Sequence, residues 1–403
     1  MSDFESRRDA TRMNLLRRLA HHVRANSSDL ADGPMRNDVS VYTDPVRHAA
    51  ERQKLFRETP VVACLSNDLP SPGSFRLFDE TGVPIVIVRG MDGVARGFLN
   101  ICTHRGARLV REREGTTKLM TCWFHGWSFD SQGQLKGVPE RERFCDAVEE
   151  RSHLIAVPVA ERCGLVFVKA TPNSSMDIDA HLGAFAEQLD FLELRQAEPV
   201  KSGTLPVSAN WKYALDTYGE GYHFAALHKA TLAPYFRNDV TVYDKFGPHH
   251  RVQFASRDIE SWASLPEAEW PKRELGGIHY LFPNTILFVG SIKPGSTYCT
   301  TFRHFPGEKV GETVTYKSIY APVGINSEEY RKEVSEAFDA TAYVVENEDY
   351  KVAAEGWYNL TSLPAGSTVV YGRQEIALQY QHRTIADAIG MALPQAAYAE
   401  AAE

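Results

Sequence analysis

The sequence lacks the features expected of a membrane-spanning, nucleic-acid-binding or secreted protein. Its 403 residues contain no run of about 18 apolar residues, which argues against a transmembrane helix. Acidic side chains outnumber basic ones and the formal net charge is −8, so no basic surface for nucleic acid is expected. The Arg-rich segment 1–26 has no apolar core of the kind that a secretory signal needs. We therefore expect a cytoplasmic protein that binds neither membrane nor nucleic acid.

Cysteine is also scarce, and four of the six cysteines are scattered without regular spacing. Scattered cysteines in a chain of this length are typical of a reducing compartment and predict no disulfide framework. The sequence has no convincing G-x-G-x-x-G fingerprint for a dinucleotide either. Any nicotinamide or flavin step is therefore expected on a partner protein.

The two remaining cysteines each stand close to a histidine. Cys102 and His104 form a C-x-H pair, and after seventeen residues Cys122 and His125 form a C-x-x-H pair. A Rieske [2Fe–2S] cluster uses this ligand set, with two Cys on one iron and two His on the other. A structural zinc site accepts the same set, but zinc modules usually pair like ligands. The mixed pairs favour the iron–sulfur cluster.

A second set of candidate ligands lies in the segment 210–228. On a helix, Glu220 and His223 would lie about 60° apart, whereas His223 and His228 would lie about 140° apart. The helix must therefore end or distort between the two histidines if both are to bind one ion. The alternative is that they are two surface histidines.

A carboxylate from a distant segment supplies a third ligand. Residues 327–357 predict one long helix with an apolar stripe that includes Val352, and Asp349 lies in the middle of that stripe. A buried carboxylate is costly unless it pairs with a cation or binds a metal, so a salt bridge is the alternative. With the two histidines it makes a 2-His-1-carboxylate set, which is typical of non-haem Fe(II) sites with open coordination positions.

The chain divides into regions of different character. Short β-branched segments separated by turns, such as 85–88 and 95–99 around Asp92-Gly93, predict a β-rich domain over residues 60–170. The polar segment 169–175 is rich in residues that break helices and strands, and we expect it to end this domain.

Residues 171–403 mix helices and strands, which makes the fold class α+β. Segments 279–282 and 285–289, joined by a Pro-Asn turn, and segment 313–320 predict strands of a second sheet. Residues 1–59 are expected to be an N-terminal helical segment that packs on this domain. Its apolar face would consist of Leu15, Leu16 and Leu19.

The sequences around both ligand sets resemble one family. NICTHRGA at 100–107 and CWFHGW at 122–127 look like the cluster loops of Rieske non-haem iron oxygenases, the large (α) subunits of aromatic ring-hydroxylating oxygenases. Respiratory-chain Rieske proteins carry one more Cys in each loop, where this chain has Ala107 and Phe124. A Rieske ferredoxin would end after the cluster domain, whereas residues 171–403 follow that domain here.

The resemblance extends into the second half of the chain. Asn210-Trp211-Lys212, the E-G-Y-H motif at 220–223 with His228, and Glu348-Asp349 look like the catalytic domain of the same oxygenases. The resemblance implies a helix-grip domain with a central antiparallel sheet covered by helices. It implies one [2Fe–2S] cluster on the Cys102 to His125 ligands, one mononuclear Fe(II) on His223, His228 and Asp349, and O2 as co-substrate.

By the same resemblance the chain is a terminal oxygenase component. It would use O2 and electrons from an NAD(P)H-dependent flavin reductase, with or without a ferredoxin, to hydroxylate, cis-dihydroxylate or demethylate a small organic, preferentially aromatic, substrate. A homotrimer is expected, with added small β subunits as the alternative. Candidate residues of the substrate pocket are Asp216, Thr217, Phe224 and Leu227.

One position differs from the commonest family pattern. Many ring-hydroxylating members carry Asp three residues before the first histidine ligand, where this chain has Glu220. In the family this carboxylate bridges a catalytic His and a cluster His of the neighbouring subunit, and we expect that role for Glu220. Glu also occurs there in monooxygenases of quaternary amines, so such an enzyme is one alternative. A Rieske electron-transfer protein without oxygenase activity is another.

Overall fold

The computed structural model describes residues 2–271, 277–293, 296–322 and 327–394. They form two compact units, one of Arg52–Glu198 and one of Met1–Glu51 together with Pro199–Glu403. The polar segment 169–175, expected to end the first domain, lies inside the first unit. The reason is that Arg162 binds both Asp179 (2.8 Å) and Asp190 (3.2 Å), which keeps the helices after that segment on the same unit.

The secondary structure of the described residues is as follows. The α-helices are α1 Asp3–Ala25, α2 Ser40–Thr43, α3 Pro45–Lys54, α4 Ile178–Leu182, α5 Phe185–Asp190, α6 Trp211–Asp216, α7 Ile259–Trp262, α8 Glu328–Val344, α9 Tyr350–Leu360 and α10 Ile376–Ile389. The strands are β1 Met35–Asp38, β2 Val61–Leu65, β3 Ser74–Phe78, β4 Ile85–Arg89, β5 Ala95–Leu99, β6 Glu114–Thr116, β7 Met120–Thr121, β8 Ser128–Phe129, β9 Leu135–Gly137, β10 Ala156–Val157, β11 Val159–Arg162, β12 Leu165–Val168, β13 Ala197–Val207, β14 Phe236–Phe246, β15 His249–Ser256, β16 Gly277–Leu281, β17 Thr285–Lys293, β18 Ser296–Pro306, β19 Thr313–Pro322 and β20 Thr368–Tyr371.

The first unit is built from three small antiparallel sheets, in the orders β10-β5-β4-β3-β6, β11-β12-β2 and β7-β8-β9. The predicted hairpin is confirmed: β4 pairs with β5 from Ile85↔Leu99 to Arg89↔Ala95. Gly93 in its turn has φ +81°, a left-handed conformation that glycine adopts without a steric penalty. The C-x-H loop follows β5, and the C-x-x-H loop joins β7 to β8, so the sheets hold both loops at their ends.

The second unit contains a seven-stranded antiparallel sheet in the order β13-β19-β18-β17-β16-β15-β14. The strands predicted at 279–282, 285–289 and 313–320 are confirmed as β16, β17 and β19. The N-terminal helix α1 buries the expected Leu15, Leu16 and Leu19. Its Arg18 binds Asp244 on β14 at 2.5 Å. No helix in the described part of the chain is long and apolar enough to cross a membrane.

The helix predicted over 327–357 is present, but it is interrupted. Ser327 caps α8 by accepting a hydrogen bond from the Tyr330 amide (3.1 Å), and a π-helical turn, Val345–Asp349, separates α8 from α9. A π turn carries one residue more than an α turn, so it rotates the residues that follow. The prediction that Val352 lies in the buried stripe is therefore wrong: Val352 is 47% exposed.

Candidate metal centres

The two loops of the first unit repeat one backbone arrangement. The amide of Cys102 donates to the carbonyl of Ala107, and the amide of Cys122 donates to that of Trp127, both at 2.8 Å. Four residues after each cysteine a glycine, Gly106 or Gly126, donates back to the cysteine carbonyl and has a positive φ. The two loops therefore present their cysteines in the same way, while the histidine is two residues on in one loop and three in the other.

The side chains of these loops suit an iron–sulfur cluster. Cys102 and Cys122 are both 2% exposed, and burial, with a further contribution from the Cys122 thiol, raises the pKa of Cys102 to about 11. Such a thiol stays protonated unless a metal takes the place of its proton. The His104 and His125 rings lie 4.7 Å apart between centroids. The two cysteines therefore lie together and so do the two histidines, as the two irons of a Rieske cluster require.

His104 provides the clearest sign of a missing partner in this unit. Its Nδ1 is buried and, within the described part of the chain, has no hydrogen-bond partner. The indole of Trp127 stacks on its ring at 4.8 Å with an interplanar angle of 7° and fixes the ring plane. Burial, followed by the charges of His125 and Arg105, lowers the pKa of His104 and favours the neutral ring that binds metals.

In the second unit His223, His228 and Asp349 meet. Their ligand atoms lie within 4.8 Å of one another, close enough for one metal ion to bind all three. Among the described residues, this is the group of potential ligands that lies so close together. Nε2 of His228 is 3.2 Å from Asp349 Oδ1, and Nε2 of His223 is 3.6 Å from the same atom. Asp349 Oδ1 is buried and has no hydrogen-bond partner in the described part of the chain. Two imidazole nitrogens facing an unsatisfied carboxylate oxygen fit a divalent cation.

Each of the two histidines is held from behind by its own carboxylate. Nδ1 of His223 bonds Glu220 Oε1, and Nδ1 of His228 bonds Glu348 Oε2. Glu348 also accepts a hydrogen bond from the Thr231 hydroxyl at 2.7 Å. Carboxylate partners of this kind orient metal-binding histidines through Nδ1 and direct Nε2 towards the ion.

The electrostatics of this site attract a cation. Burial lowers the pKa of His228, but the negative charges of Asp349 and then Glu348 outweigh it, and the net pKa is raised. The carboxylates that stabilise a protonated imidazole in the metal-free site would stabilise a metal cation in the same place.

The backbone explains how histidines five residues apart meet. Helix α6 ends at Asp216, and residues 217–235 form successive turns rather than a regular helix. Glu220 accepts hydrogen bonds from the amides of Tyr222 and His223 and so holds the first of these turns. The sequence predicts that a helix ends or distorts between His223 and His228 if both bind one ion. In the structure the helix ends earlier, at Asp216, and both histidines lie on turns.

The π turn places the third ligand. It ends at Asp349, and the next residue, Tyr350, is anchored to the sheet by the Thr315 hydroxyl on β19 at 2.5 Å. Because Glu348 and Asp349 are neighbours on this turn, one contacts the back of His228 and the other its Nε2 side. The apolar stripe indicated Asp349 correctly as a buried carboxylate. The stripe did not indicate that Glu348 bonds His228. The one available signal was the position of Glu348 next to Asp349 in the sequence.

The four pocket candidates have different environments. Asp216 lies in a buried polar network and accepts hydrogen bonds from Tyr42 (2.5 Å), Gln381 (3.1 Å) and His382 (3.0 Å). The Thr217 hydroxyl donates to the Ala214 carbonyl at 3.0 Å, whereas Leu227 is half-buried beside His228 in sequence. Phe224 packs edge-on against His223 with centroids 5.1 Å apart. Phe224 is therefore the pocket candidate in ring contact with the candidate metal ligands.

Comparison with known proteins identifies the class to which these two centres belong. A Rieske [2Fe–2S] domain model matches residues 59–158, and a model of the ring-hydroxylating alpha subunit (catalytic domain) matches residues 194–391. The chain belongs to the family of Rieske non-haem iron oxygenases, whose large subunits combine these two domains. The predicted membership of this family is thus confirmed.

Individual relatives act on different substrates. The chain is 28% identical over 324 residues to the α subunit of 2-aminobenzenesulfonate 2,3-dioxygenase from Alcaligenes sp., covering 72% of this chain and 80% of that one. It is 29% identical over 279 residues to the carnitine monooxygenase oxygenase subunit of Acinetobacter baumannii, covering 66% and 70%. A solved quaternary ammonium Rieske monooxygenase shares its fold with a TM-score of 0.70 at 22% identity, covering 89% and 95%.

The two matched domains define the cofactors and the kind of reaction. The chain is the α subunit of a Rieske non-haem iron mono- or dioxygenase, and such a subunit carries one [2Fe–2S] cluster and one mononuclear iron and uses O2. The family works with reductase or ferredoxin electron donors and forms oligomers.

Proposed function

We propose that this chain is the terminal oxygenase that inserts oxygen from O2 into a small organic substrate at His223, His228 and Asp349. The observation that carries the proposal is the arrangement around Asp349 Oδ1, where two carboxylate-oriented imidazoles face a buried, unsatisfied oxygen. When bound, iron at this site would supply the capacity to activate O2. The three side chains would hold the ion from one side and leave coordination positions for O2 and substrate.

Cys102, His104, Cys122 and His125 would hold the cluster that supplies electrons. Imidazole ligation raises the reduction potential of a Rieske cluster above that of an all-cysteine cluster. A flavin reductase that uses NAD(P)H can therefore reduce it, directly or through a ferredoxin. The half-exposed side of the loops around His104 and His125 gives such a donor access to the cluster edge.

Glu220 is proposed as the bridging carboxylate between the mononuclear site and the cluster of a neighbouring chain. Its Oε1 already holds the Nδ1 of His223, which supports one half of that role. The other half requires a homotrimer in which electrons pass between chains. The solved quaternary ammonium monooxygenase is described in terms of inter-subunit electron transfer, which supports the expectation.

For the substrate we propose a small aromatic compound that is hydroxylated, cis-dihydroxylated or demethylated. The match to a 2-aminobenzenesulfonate dioxygenase over most of the chain supports it. A quaternary-amine monooxygenase is the second candidate, because Glu220 and the carnitine monooxygenase relatives favour it. A product screen with a surrogate reductase, across aromatic acids, methoxy-aromatics and methylated amines, distinguishes the two.

Two variants test which residues bind the cluster and which bind the mononuclear iron. His223→Ala should abolish turnover and leave the cluster absorption and EPR signal intact, because the substitution removes only a ligand of the mononuclear site. Cys122→Ser should bleach the cluster. Loss of the cluster signal in H223A, or a brown C122S protein with normal turnover, would contradict the assignment. A pure electron carrier would show two irons per chain instead of three.

A further inference from the structure

The candidate metal ligands adjoin the central strands of the seven-stranded sheet through Phe224. The ring of Phe224 lies 5.1 Å from that of His223 and 5.8 Å from that of His228, measured between centroids. Phe224 also packs in one apolar cluster with Ile278 on β16. Ile278 is the direct cross-strand partner of Phe288 on β17, and such partners direct their side chains to the same face of a sheet. Both therefore lie on the face that the metal site covers, which we call the inner face.

Open space lies above this pair of residues. Ile278 and Phe288 are partly exposed, although they belong to strands in the middle of the sheet. The next pair on the same face of the same two strands, Tyr280 and Ile286, is buried. Because side chains at the centre of a covered sheet are normally buried, the exposure of Ile278 and Phe288 indicates a cavity over them, beside Phe224.

Two hydroxyl groups border this cavity from β18. Thr300 is the direct partner of Phe288, and its Oγ1 is buried and has no hydrogen-bond partner within the described part of the chain. Tyr298, two residues earlier on the same face, has its ring 6.3 Å from that of Phe288. Its hydroxyl reaches across β17, because a Cβ on the facing Gly290 would lie 2.5 Å from the Tyr298 oxygen. A buried hydroxyl without a partner is costly, so a ligand that hydrogen-bonds to Thr300 would relieve this cost.

The inner face around the cavity carries no charged side chain in the cross-strand row that contains Thr300. The members of this row, from β14 to β19, are Tyr243, Val252, Ile278, Phe288, Thr300 and Ile319. Burial, followed by the neighbouring Tyr330, raises the pKa of Tyr298, so its hydroxyl keeps its proton. A carboxylate or sulfonate bound here would lose its hydration without gaining a counter-charge from this row. An uncharged hydroxyl group could donate to one of the two protein hydroxyls and accept from the other.

We propose that Thr300 and Tyr298 are specificity-determining residues whose side chains bind a hydroxyl substituent on the aromatic ring of the substrate. The ring itself would lie on Ile278 and Phe288, between these hydroxyls and the metal site. Anchoring the substituent in this way determines which ring carbon faces the metal. The inference rests on the proposed function, because it takes the cavity beside Phe224 as the substrate site.

The test measures binding rather than turnover. Phenol and toluene have nearly the same shape, and toluene carries a methyl group in place of the hydroxyl. Their dissociation constants are measured by anaerobic calorimetry on the full chain with its cluster and mononuclear iron in place. In Thr300→Val the affinity for phenol relative to toluene should fall about three- to tenfold, because one neutral hydrogen bond is lost. The affinity for toluene itself should stay near the wild-type value.

The controls separate the hydroxyl from the packing. Tyr298→Phe removes the other hydroxyl and should lower the same ratio, and it provides the comparison if T300V does not fold. Thr300→Ser keeps a hydroxyl and should retain most of the preference. Thr301→Val is the matched control, because the next residue of a strand points to the opposite face, and it should keep the wild-type ratio.

An unchanged ratio in both T300V and Y298F would overturn the inference. Tighter binding of benzoate or tetramethylammonium than of phenol to the wild-type protein would overturn the uncharged substrate class. Neither result affects the assignment as an oxygenase, which fails instead if the purified protein holds two irons per chain rather than three. The two failures are therefore distinguishable.

Discussion

At the scale of single residues, the second unit pairs each metal-facing histidine with its own carboxylate. Glu220 holds His223 and Glu348 holds His228, both through Nδ1. The pairs differ in their surroundings, because Glu348 is fixed further by Thr231 and Glu220 by two backbone amides. Both Nε2 atoms are thus oriented towards Asp349 before an ion binds. This reduces the conformational entropy that the side chains lose on metal binding.

Glu348→Gln should weaken metal binding at the mononuclear site by about 10- to 100-fold, because the amide can no longer accept as strong a hydrogen bond from His228. Fe(II) affinity and the iron content of the purified protein measure the effect. Glu355→Gln, an exposed carboxylate on α9, is the matched control and should retain wild-type affinity. Wild-type affinity in E348Q would mean that Glu348 does not orient His228.

Glu220→Gln should slow electron transfer to the mononuclear site more than it weakens substrate binding, because the carboxylate is the proposed bridge. Oxidation of the reduced cluster in a single turnover measures the transfer, and substrate affinity is measured in parallel. Unchanged single-turnover rates would count against the bridging role.

At the scale of secondary-structure elements, local patterns predicted much of the fold but not its departures from regularity. The D-G turn with flanking β-branched residues predicted the β4–β5 hairpin, and Pro283-Asn284 predicted the turn between β16 and β17. These signals depend on neighbouring residues, which the sequence displays directly.

The irregular elements depend on tertiary contacts. Val352 was expected to be buried because a constant period of 3.6 residues was assumed, and the π turn shifts that period. The position of Glu348 beside His228 depends on the π turn packing against a loop more than a hundred residues earlier. A single sequence contains no local signal for such contacts.

Helix α8, which leads into the π turn, is tied to the sheet by a buried lysine. Lys317 on β19 donates to the Phe338 carbonyl and to the Thr341 hydroxyl, and its ammonium lies 4.1 Å from the centroid of the Phe338 ring. Burial lowers the pKa of Lys317 to about 7, although the charges of Asp339 and Glu346 oppose the shift. This lysine connects the sheet to the helix one turn before the π turn that carries Asp349.

Lys317→Met should make the stability of the protein less dependent on pH. The unfolded lysine titrates at its ordinary 10.5 and the folded one at about 7, so between these values only the unfolded chain keeps the proton. Raising the pH through this window therefore stabilises the wild-type fold, and the increase is absent in K317M. The thermal midpoint, compared at neutral and alkaline pH, should rise about 2–4 °C less in K317M.

Lys332→Met, on the exposed side of α8, is the control and should leave the wild-type pH dependence intact. A K317M midpoint that rises with pH as steeply as that of the wild type would contradict the assignment of the shifted group.

At the scale of the whole molecule, one chain contains a Rieske cluster domain and an oxygen-activating catalytic domain, which belong to two compact units. The proposed homotrimer lets the cluster of one chain serve the mononuclear site of the next. Catalysis would then be a property of the assembly rather than of the single chain.

Mixed trimers test this arrangement. C122S chains, which lack the cluster, and H223A chains, which lack the mononuclear site, should each be inactive alone. Co-assembled in equal amounts, they should recover roughly a quarter of wild-type turnover, because that share of neighbouring pairs joins an intact cluster to an intact iron site. No recovery in trimers shown to be mixed by co-purification of differently tagged chains would indicate that electrons stay within one chain.

The π turn has a genetic consequence as well. Its extra residue rotates the helix by about 100°, which is the rotation that one α-helical residue contributes. Deleting a single codon within 345–347 should restore an unbroken α-helix and turn the carboxylate of Asp349 away from the histidines, although every ligand would still be encoded. Removal of one codon is thus expected to abolish the ligand set, and a search that only counts ligand residues would not detect the loss.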